Sequence, residues 1–275
     1  MRSSPRLFLG DMLPQIARNC YSNTVKSVAS DVWPLGFPAL GDPLIDRVWC
    51  WRIFVDRENA ALGRRLGSLL DDREQGLAAR FVHAADRHLY IAAHAGLRLL
   101  LAAVLGCRPM GVRLRRGPAG KPMVEADSDI QFSLSHCRDV ALIAFTRGVP
   151  VGVDVEHVRP LADWKRIAAR YLHPGERMEL MALSEEERLT AFFRCWTRKE
   201  AVAKALGLGL SLPLNRYQVS CRPNAQAALL AMHSAAPPPA LWSFQELTPM
   251  PHYIAALAMP GQVASIVCRT LAWPD

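Results

Sequence analysis

Two short stretches of the chain carry ionisable side chains at spacings that suit metal-dependent chemistry. In Val-Gly-Val-Asp-Val-Glu, Asp154 and Glu156 lie two positions apart, so a strand would place both carboxylates on one face. In Trp-Thr-Arg-Lys-Glu-Ala-Val-Ala-Lys, Glu200 and Lys204 lie four positions apart, so a helix would stack them one turn apart. Neighbouring carboxylates repel each other, and hard oxygen ligands favour Mg²⁺ or a similar cation. The pattern predicts a site of three carboxylates with one lysine beside it.

Each stretch taken alone also has an ordinary structural explanation. Glu and Lys four positions apart are common on solvated helix faces, where they form a simple ion pair. Two acids on a half-exposed edge strand need no ligand. These alternatives stay open for each stretch by itself, and the occurrence of both stretches in one chain favours a site.

Five stretches, in this order along the chain, carry a resemblance to a known family. They are Gly120–Pro122, Phe132–His136, Val151–Glu156, Trp196–Lys204 and Gly207–Leu214. Together they resemble the signature of the 4′-phosphopantetheinyl transferase superfamily, in the branch with Trp and Lys-Glu-Ala that activates peptide and polyketide synthetases.

The resemblance implies an activity and two substrates. The enzyme would move the 4′-phosphopantetheine group from coenzyme A, its co-substrate, to a serine hydroxyl of an apo acyl or peptidyl carrier protein. The products would be the holo carrier and adenosine 3′,5′-bisphosphate. Nothing in the sequence shows whether the carrier serves fatty-acid, polyketide or peptide synthesis.

The resemblance also implies roles for individual residues. Asp154, Glu156 and Glu200 would hold Mg²⁺, with Mn²⁺ as a substitute, against the pyrophosphate of coenzyme A. Glu200 and Lys204 are the catalytic candidates, Glu200 as the base for the serine hydroxyl and Lys204 as the cation on the departing phosphate. The residues expected to bind coenzyme A are Arg80, Arg116, Lys121, Ser135, His136, Lys199 and Lys204.

Some positions depart from the pattern of the resembled family. Leu77 stands where relatives often carry a basic residue, which leaves the detail of the expected Arg80 contact to the 3′-phosphate open. Ser133 stands where they often have Asn, and Cys137 where they often have Ser. Lys199 lies about 100° around the helix from Glu200, so a solvated helix lysine is the alternative reading for it.

Two other functional classes compete with the transferase. A metal-dependent phosphohydrolase or nuclease could use the same three carboxylates with water as the nucleophile. A non-catalytic binding subunit could share the fold, but loss of one of the acids would then be expected, and all three are present.

The net charge of the chain indicates which kind of molecule it binds. The chain has 33 basic and 25 acidic residues, a net charge of +8, so its electrostatic partner is expected to be anionic. The basic residues are dispersed, without the basic and aromatic runs or zinc-finger spacing of nucleic-acid-binding proteins, so we expect no nucleic acid. An acidic carrier protein fits better.

Cysteine usage and hydropathy indicate the compartment. The seven cysteines show no CxxC spacing, and the first ten residues lack the apolar segment of a signal peptide. The longest apolar run, Leu99–Leu105, is too short to span a bilayer. We therefore expect a cytoplasmic protein without a membrane partner. We also expect it to act as a monomer.

The predicted fold class is α+β, with two similar α/β subdomains in a pseudo-twofold arrangement and a ligand cleft between them. An order of strand, long helix and further strands occurs twice, before and after about residue 150, and the resemblance implies the symmetry and the cleft. The predicted divisions are an N-terminal extension (1–44), a first subdomain (45–150) and a second subdomain with the metal site (151–275). Long helices are predicted to end at Gly106 and Gly207, where glycine can cap them.

Overall fold

The computed structural model describes residues 35–36, 47–55, 59–117, 119–125, 128–209, 212–232, 238–262, 265–271 and 273. The N-terminal extension predicted for 1–44 lies outside the described residues except for Leu35–Gly36.

The described part of the first half forms two strands, three helices, a hairpin and two further strands. These are β1 (Leu35–Gly36), β2 (Arg47–Phe54), α1 (Ala60–Gly67), α2 (Asp72–Ala78), α3 (Ala84–Leu105), β3 (Leu114–Arg116), β4 (Pro122–Val124), β5 (Ile130–Cys137) and β6 (Val140–Arg147).

The second half repeats the order that begins at β2, and it ends with one more strand. Its elements are β7 (Gly152–His157), α4 (Trp164–Tyr171), α5 (Pro174–Met181), α6 (Glu185–Leu206), β8 (Tyr217–Val219), β9 (Leu229–Met232), β10 (Trp242–Leu247), β11 (Tyr253–Pro260) and β12 (Ser265–Leu271).

The strand pairing shows the same duplication. In the first half β6 lies antiparallel between β2 and β5, and in the second half β11 lies antiparallel between β7 and β10. The long helices α3 and α6 both have 22 residues and both end at a glycine in the left-handed region, Gly106 at φ 66° and Gly207 at φ 64°. Glycine adopts this conformation without steric cost. The predicted α+β fold of two similar subdomains is confirmed.

The C-terminal strand does not follow the predicted division at residue 150. Strand β12 lies parallel to β2 in the sheet of the first half, with β1 on its other side. The edge of β2 that β6 leaves open offers unpaired backbone groups, and β12 pairs with them. The sequence prediction did not include a strand at β12, although Ile266 and Val267 are β-branched.

Alternating side chains divide the core into three layers. On β2, Trp49, Trp51 and Ile53 face α3, while Val48 and Cys50 face the other sheet. The two sheets thus pack face to face around a central layer, which includes Val153 and Val155 of β7 and Val151 just before it.

Helix α3 has the length and apolar composition of a membrane-spanning helix, and it is the single described helix that does. Of its most apolar window, 61% is buried inside the protein. Packing against the first sheet accounts for this apolar character.

Helix α6 lies unusually close to strand β7, and Gly152 makes that approach possible. A Cβ atom on Gly152 would lie 1.9 Å from the carbonyl oxygen of Ala201 and 2.5 Å from the amide nitrogen of Ala205. Real Cβ atoms do not tolerate such contacts with backbone, so a side chain here would push α6 away. The glycine therefore sets the distance between the helix that carries Glu200 and the strand that carries Asp154.

We predict that Gly152→Ala lowers the free energy of unfolding by about 1–3 kcal/mol or more, because the clash is with backbone atoms that cannot rotate away. The matched control is Gly76→Ala in α2, where nothing lies within 4 Å of the added methyl group. That change should raise stability by about 0.5–1 kcal/mol, the helix-propensity difference. Urea unfolding of both variants measures the effect, and equal stability for Gly152→Ala and the parent would contradict the prediction.

Candidate active site

A cleft of about 830 Å³ opens between the two subdomains. One wall comes from the first half, through α2, α3, the β3–β4 hairpin and β5, and the other comes from β7, α4 and α6. The volume lies within the range of small-molecule sites, which often form where two subdomains meet.

Three side chains meet at the base of this cleft. The Nζ atom of Lys204 donates to Asp154 Oδ1 at 2.6 Å and to Ser135 Oγ at 2.8 Å. The hydroxyl of Ser135 in turn donates to Asp154 Oδ1 at 2.8 Å. Each residue comes from a different element (α6, β7 and β5), so the contact links both subdomains at one point.

Strands β5 and β7 belong to different sheets in the described part of the chain. Two serine hydroxyls of β5 link them. Ser133 Oγ accepts the amide of Val153 at 3.0 Å, and Ser135 Oγ accepts the amide of Val155 at 3.4 Å. These bonds fix the register of β7 against β5. Asp154 lies between the two bonded amides and is directed toward α6, as the predicted alternation requires.

The carboxyl groups of Glu156 and Glu200, which lie beside this contact, both have raised pKa values. Burial, and then the charge of Asp154, raise the pKa of Glu156 to about 8. Burial and the same charge raise the pKa of Glu200 to about 7, although the charge of Lys204 opposes the rise. The structure therefore brings Asp154, Glu156, Glu200 and Lys204 into one electrostatic cluster with more negative than positive groups.

A divalent cation would fit this cluster. Asp154 Oδ2 is buried and has no hydrogen-bond partner among the described residues. Within the same part of the chain, no three His, Cys, Asp or Glu side chains form a group that could hold a metal ion by itself, and this includes Asp154, Glu156 and Glu200. Mg²⁺ is usually held by one or two carboxylates, with waters and substrate phosphates as its other ligands, so a complete cage is not required.

The other candidates on β5 and the β3–β4 hairpin also line the cleft. His136 is enclosed enough that burial lowers its pKa to about 4, with the charges of His94 and Lys204 adding to the effect, so the imidazole is neutral near pH 7. Arg116 is exposed at the rim and donates to the carbonyl of Gly120 at 3.1 Å. Lys121 lines the cleft but donates to two backbone carbonyls. The contacts of these residues to coenzyme A stay predictions.

The structure does not bring Lys199 to the cleft. Its ammonium group is fully buried in the second subdomain, where it donates to Glu176 Oε1 at 2.7 Å and to the carbonyl of Tyr217 at 2.6 Å. The expectation that Lys199 binds coenzyme A is therefore wrong. Lys199 is one residue from Glu200, so the helix turns its side chain about 100° away from the cleft. We assign Lys199 to the core and not to coenzyme A binding.

The first subdomain contains a matching buried ion pair. Arg98 of α3 contacts Glu74, which is the third residue of α2, as Lys199 of α6 contacts Glu176, the third residue of α5. In each case the glutamate also closes a capping box at the start of its helix. The duplicated pair supports a structural role for Lys199.

Arg80 is the second candidate that the structure leaves outside the cleft. It is exposed just after α2 and is not among the residues that line the cleft. Arg73 and Leu77 do line it from the same helix. They lie four positions apart on one face, a spacing from which Arg73 could have been predicted as the basic group of this wall.

Aromatic side chains at the cleft were also missed by sequence reasoning. Tyr90 and His94 stack with ring centroids 4.0 Å apart on the first wall. Tyr171 and Trp196 meet edge to face at 6.0 Å on the second wall. They offer flat surfaces for a base or an aliphatic chain.

Comparison with known proteins identifies the family. A family model described as 4'-phosphopantetheinyl transferase superfamily matches residues 150–258, and one described as 4'-phosphopantetheinyl transferase, N-terminal, matches residues 62–147. The 4'-phosphopantetheinyl transferase HetI of Nostoc sp. is 34% identical over 221 residues, which are 79% of this chain and 90% of HetI. The chain belongs to the 4′-phosphopantetheinyl transferase superfamily. It is thus a member of a family of enzymes, and the resemblance seen in the sequence is confirmed.

Two further relatives in the superfamily share shorter stretches. The 4'-phosphopantetheinyl transferase gsp of Aneurinibacillus migulanus is 30% identical over 154 residues, 56% of this chain and 63% of the relative. The 4'-phosphopantetheinyl transferase Sfp of Bacillus subtilis (strain 168) is 26% identical over 186 residues, 67% of this chain and 82% of Sfp.

Substitution of Lys199 tests whether this residue stabilises the second subdomain or binds coenzyme A in the cleft. Lys199→Met leaves Glu176 buried without its charge partner, so the free energy of unfolding should fall by about 3–5 kcal/mol. Lys165→Met, on an exposed position of α4 in the same subdomain, is the matched control and should cost much less. Urea unfolding measures both. A stable Lys199→Met protein that no longer binds coenzyme A would contradict the assignment.

Proposed function

We propose that this chain transfers the 4′-phosphopantetheine group of coenzyme A to a serine hydroxyl of an apo carrier protein, with Mg²⁺ as the metal. The observation that carries the proposal is the contact of Lys204, Asp154 and Ser135 at the base of the cleft, with Glu156 and Glu200 beside it. Membership of the superfamily supports carrier protein and coenzyme A as partners.

The reaction requires charge neutralisation more than covalent help from the protein. A bond forms between the serine oxygen and the β-phosphorus of coenzyme A, and the bond from that phosphorus to the bridging oxygen of the pyrophosphate breaks. The leaving group is adenosine 3′,5′-bisphosphate, which carries the released negative charge. Positioning and electrostatic stabilisation supply most of the acceleration in such phosphoryl transfers.

Acidic residues of the cleft would hold the cation. Asp154 would hold Mg²⁺ with Glu156 and Glu200 as the further candidate ligands, and the cation would supply positive charge to the pyrophosphate oxygens. The unpartnered Asp154 Oδ2 and the mutual repulsion of the three carboxylates support this placement.

Glu200 and Lys204 have separate roles in the reaction, proton acceptance and phosphate binding. Glu200 is the carboxylate that accepts the proton of the serine hydroxyl, and it lies on the face of α6 that lines the cleft. Lys204 lies one turn further along the same face, and its ammonium group binds the phosphate oxygens that leave with the bisphosphate. In the present structure that ammonium group contacts Asp154 Oδ1.

The carrier would dock over the open side of the cleft. Arginines lie along the rim on both subdomains, and the chain carries a net charge of +8. An acidic carrier protein complements this charge, which speeds association and favours one orientation. The rim arginines are Arg73, Arg115, Arg116 and Arg170.

Intact-mass spectrometry of apo acyl and peptidyl carrier proteins tests the proposal. After incubation with the protein, coenzyme A and Mg²⁺, at least one carrier should gain the mass of one phosphopantetheine group. A chelator should abolish the gain, because the carboxylates would then lack their cation. Asp154→Asn is the matched negative control. Hydrolysis of coenzyme A without modification of any carrier would instead favour the phosphohydrolase.

Substitutions of Glu200 and Lys204 should change different quantities, the transfer rate and the affinity for coenzyme A. Glu200→Gln removes the base, so the single-turnover rate should fall by roughly 10²–10⁴-fold. Lys204→Met removes a cation that binds the donor in the ground state as well, so coenzyme A affinity should also fall, by roughly 10–100-fold. Rapid-quench kinetics and calorimetry separate the two effects. Normal turnover by Glu200→Gln, or unchanged affinity in Lys204→Met, would refute the respective role.

A further inference from the structure

The turn between β3 and β4 reaches across the cleft to the end of α6. A Cβ atom on Gly207, the cap of α6, would lie 3.3 Å from Lys121 Cδ. A Cβ atom on Gly209 would lie 3.2 Å from the carbonyl oxygen of Ala119 in the same turn. The first subdomain therefore touches the helix that carries Glu200 and Lys204 at its C-terminal end.

Lys121 makes the polar contacts of this junction. Its Nζ atom donates to the carbonyl of Val151 at 3.0 Å and to that of Ala205 at 3.5 Å. Ala205 lies in the last turn of α6, where carbonyls have no donor within the helix and where the helix dipole attracts a cation. Val151 immediately precedes β7. One ammonium group thus holds the end of α6 and the start of β7 together.

These two elements carry the reacting groups of the cleft. Lys204 is the residue before Ala205, and Asp154 is three residues after Val151. The contact between Lys204 and Asp154 therefore depends on the same spacing that Lys121 sets. The ammonium groups of Lys121 and Lys204 are also near enough that the charge of Lys204 adds to burial in lowering the pKa of Lys121 to about 8.

We propose that Lys121 is a positioning residue that fastens the last turn of α6 to the start of β7 and so holds Lys204 and Glu200 against Asp154. This role differs from the direct contact to coenzyme A that the sequence predicts for Lys121. The contacts of Lys121 to the two carbonyls exist in the protein without substrates, so this fastening of α6 to β7 does not depend on the proposed function. Its effect on catalysis does rest on that function.

Hydrogen exchange of the substrate-free protein tests the fastening. Lys121→Met keeps the aliphatic stem but removes the donors, so the amides of residues 205–207 should exchange roughly tenfold faster. Lys121→Arg keeps the charge and donors and should retain most of the protection. Arg113→Met, on an exposed position beside the same hairpin, is the matched control and should change nothing. The last turn of α3, which ends at Gly106, is the internal reference in every sample.

Single-turnover kinetics and coenzyme A calorimetry on the same variants test the consequence. Lys121→Met should slow transfer roughly tenfold or more at saturating coenzyme A, and Lys121→Arg should recover most of the rate. Unchanged exchange at residues 205–207 in Lys121→Met would overturn the proposal. Weaker coenzyme A binding with that unchanged exchange would identify Lys121 as a ligand contact. Faster exchange in a protein without transferase activity would support the fastening and count against the proposed function alone.

Discussion

The site depends on one electrostatic constraint, the clustering of one buried and two half-buried carboxylates beside the ammonium group of Lys204. Burial and the charge of Asp154 raise the pKa values of Glu156 and Glu200, and the charge of Lys204 offsets only part of that rise. Burying unbalanced charge is costly, so a protein that does so usually has a charged ligand for it. The elements around the cleft can be understood as the means of holding these groups at the required distances.

Close packing supplies those distances. Gly152 lets α6 approach β7, and the hydroxyls of Ser133 and Ser135 fix β7 against the sheet of the first subdomain. The junction at Lys121 then joins the ends of both elements from the other side of the cleft. A site made at the meeting of two subdomains is therefore set by contacts that cross between them.

Much of the fold could be predicted because its signals are local. Both long helices end at glycines that the sequence shows plainly, and the valine alternation of β7 gives the face of each carboxylate. Strand β12 could not be placed in the same way, because its partner β2 lies more than two hundred residues earlier. Pairing over such a distance leaves no pattern within the strand itself.

The same distinction holds for the site. The spacing of Glu200 and Lys204 on one helix face is local, and the structure places both at the cleft. The partner of Lys199 is Glu176 on another helix, so the burial of that lysine cannot be read from its own motif. For Lys121 the sequence indicated a residue at the cleft, while the carbonyls that it contacts belong to the other half of the chain.

The most direct test of the central claim is the effect of Mg²⁺ on the affinity for coenzyme A, measured by calorimetry in the protein and in Asp154→Asn. If the buried carboxylates hold a cation against the pyrophosphate, Mg²⁺ should tighten coenzyme A binding, and the asparagine variant should lose most of that gain. The same coenzyme A affinity in Mg²⁺ and in chelator would contradict the account.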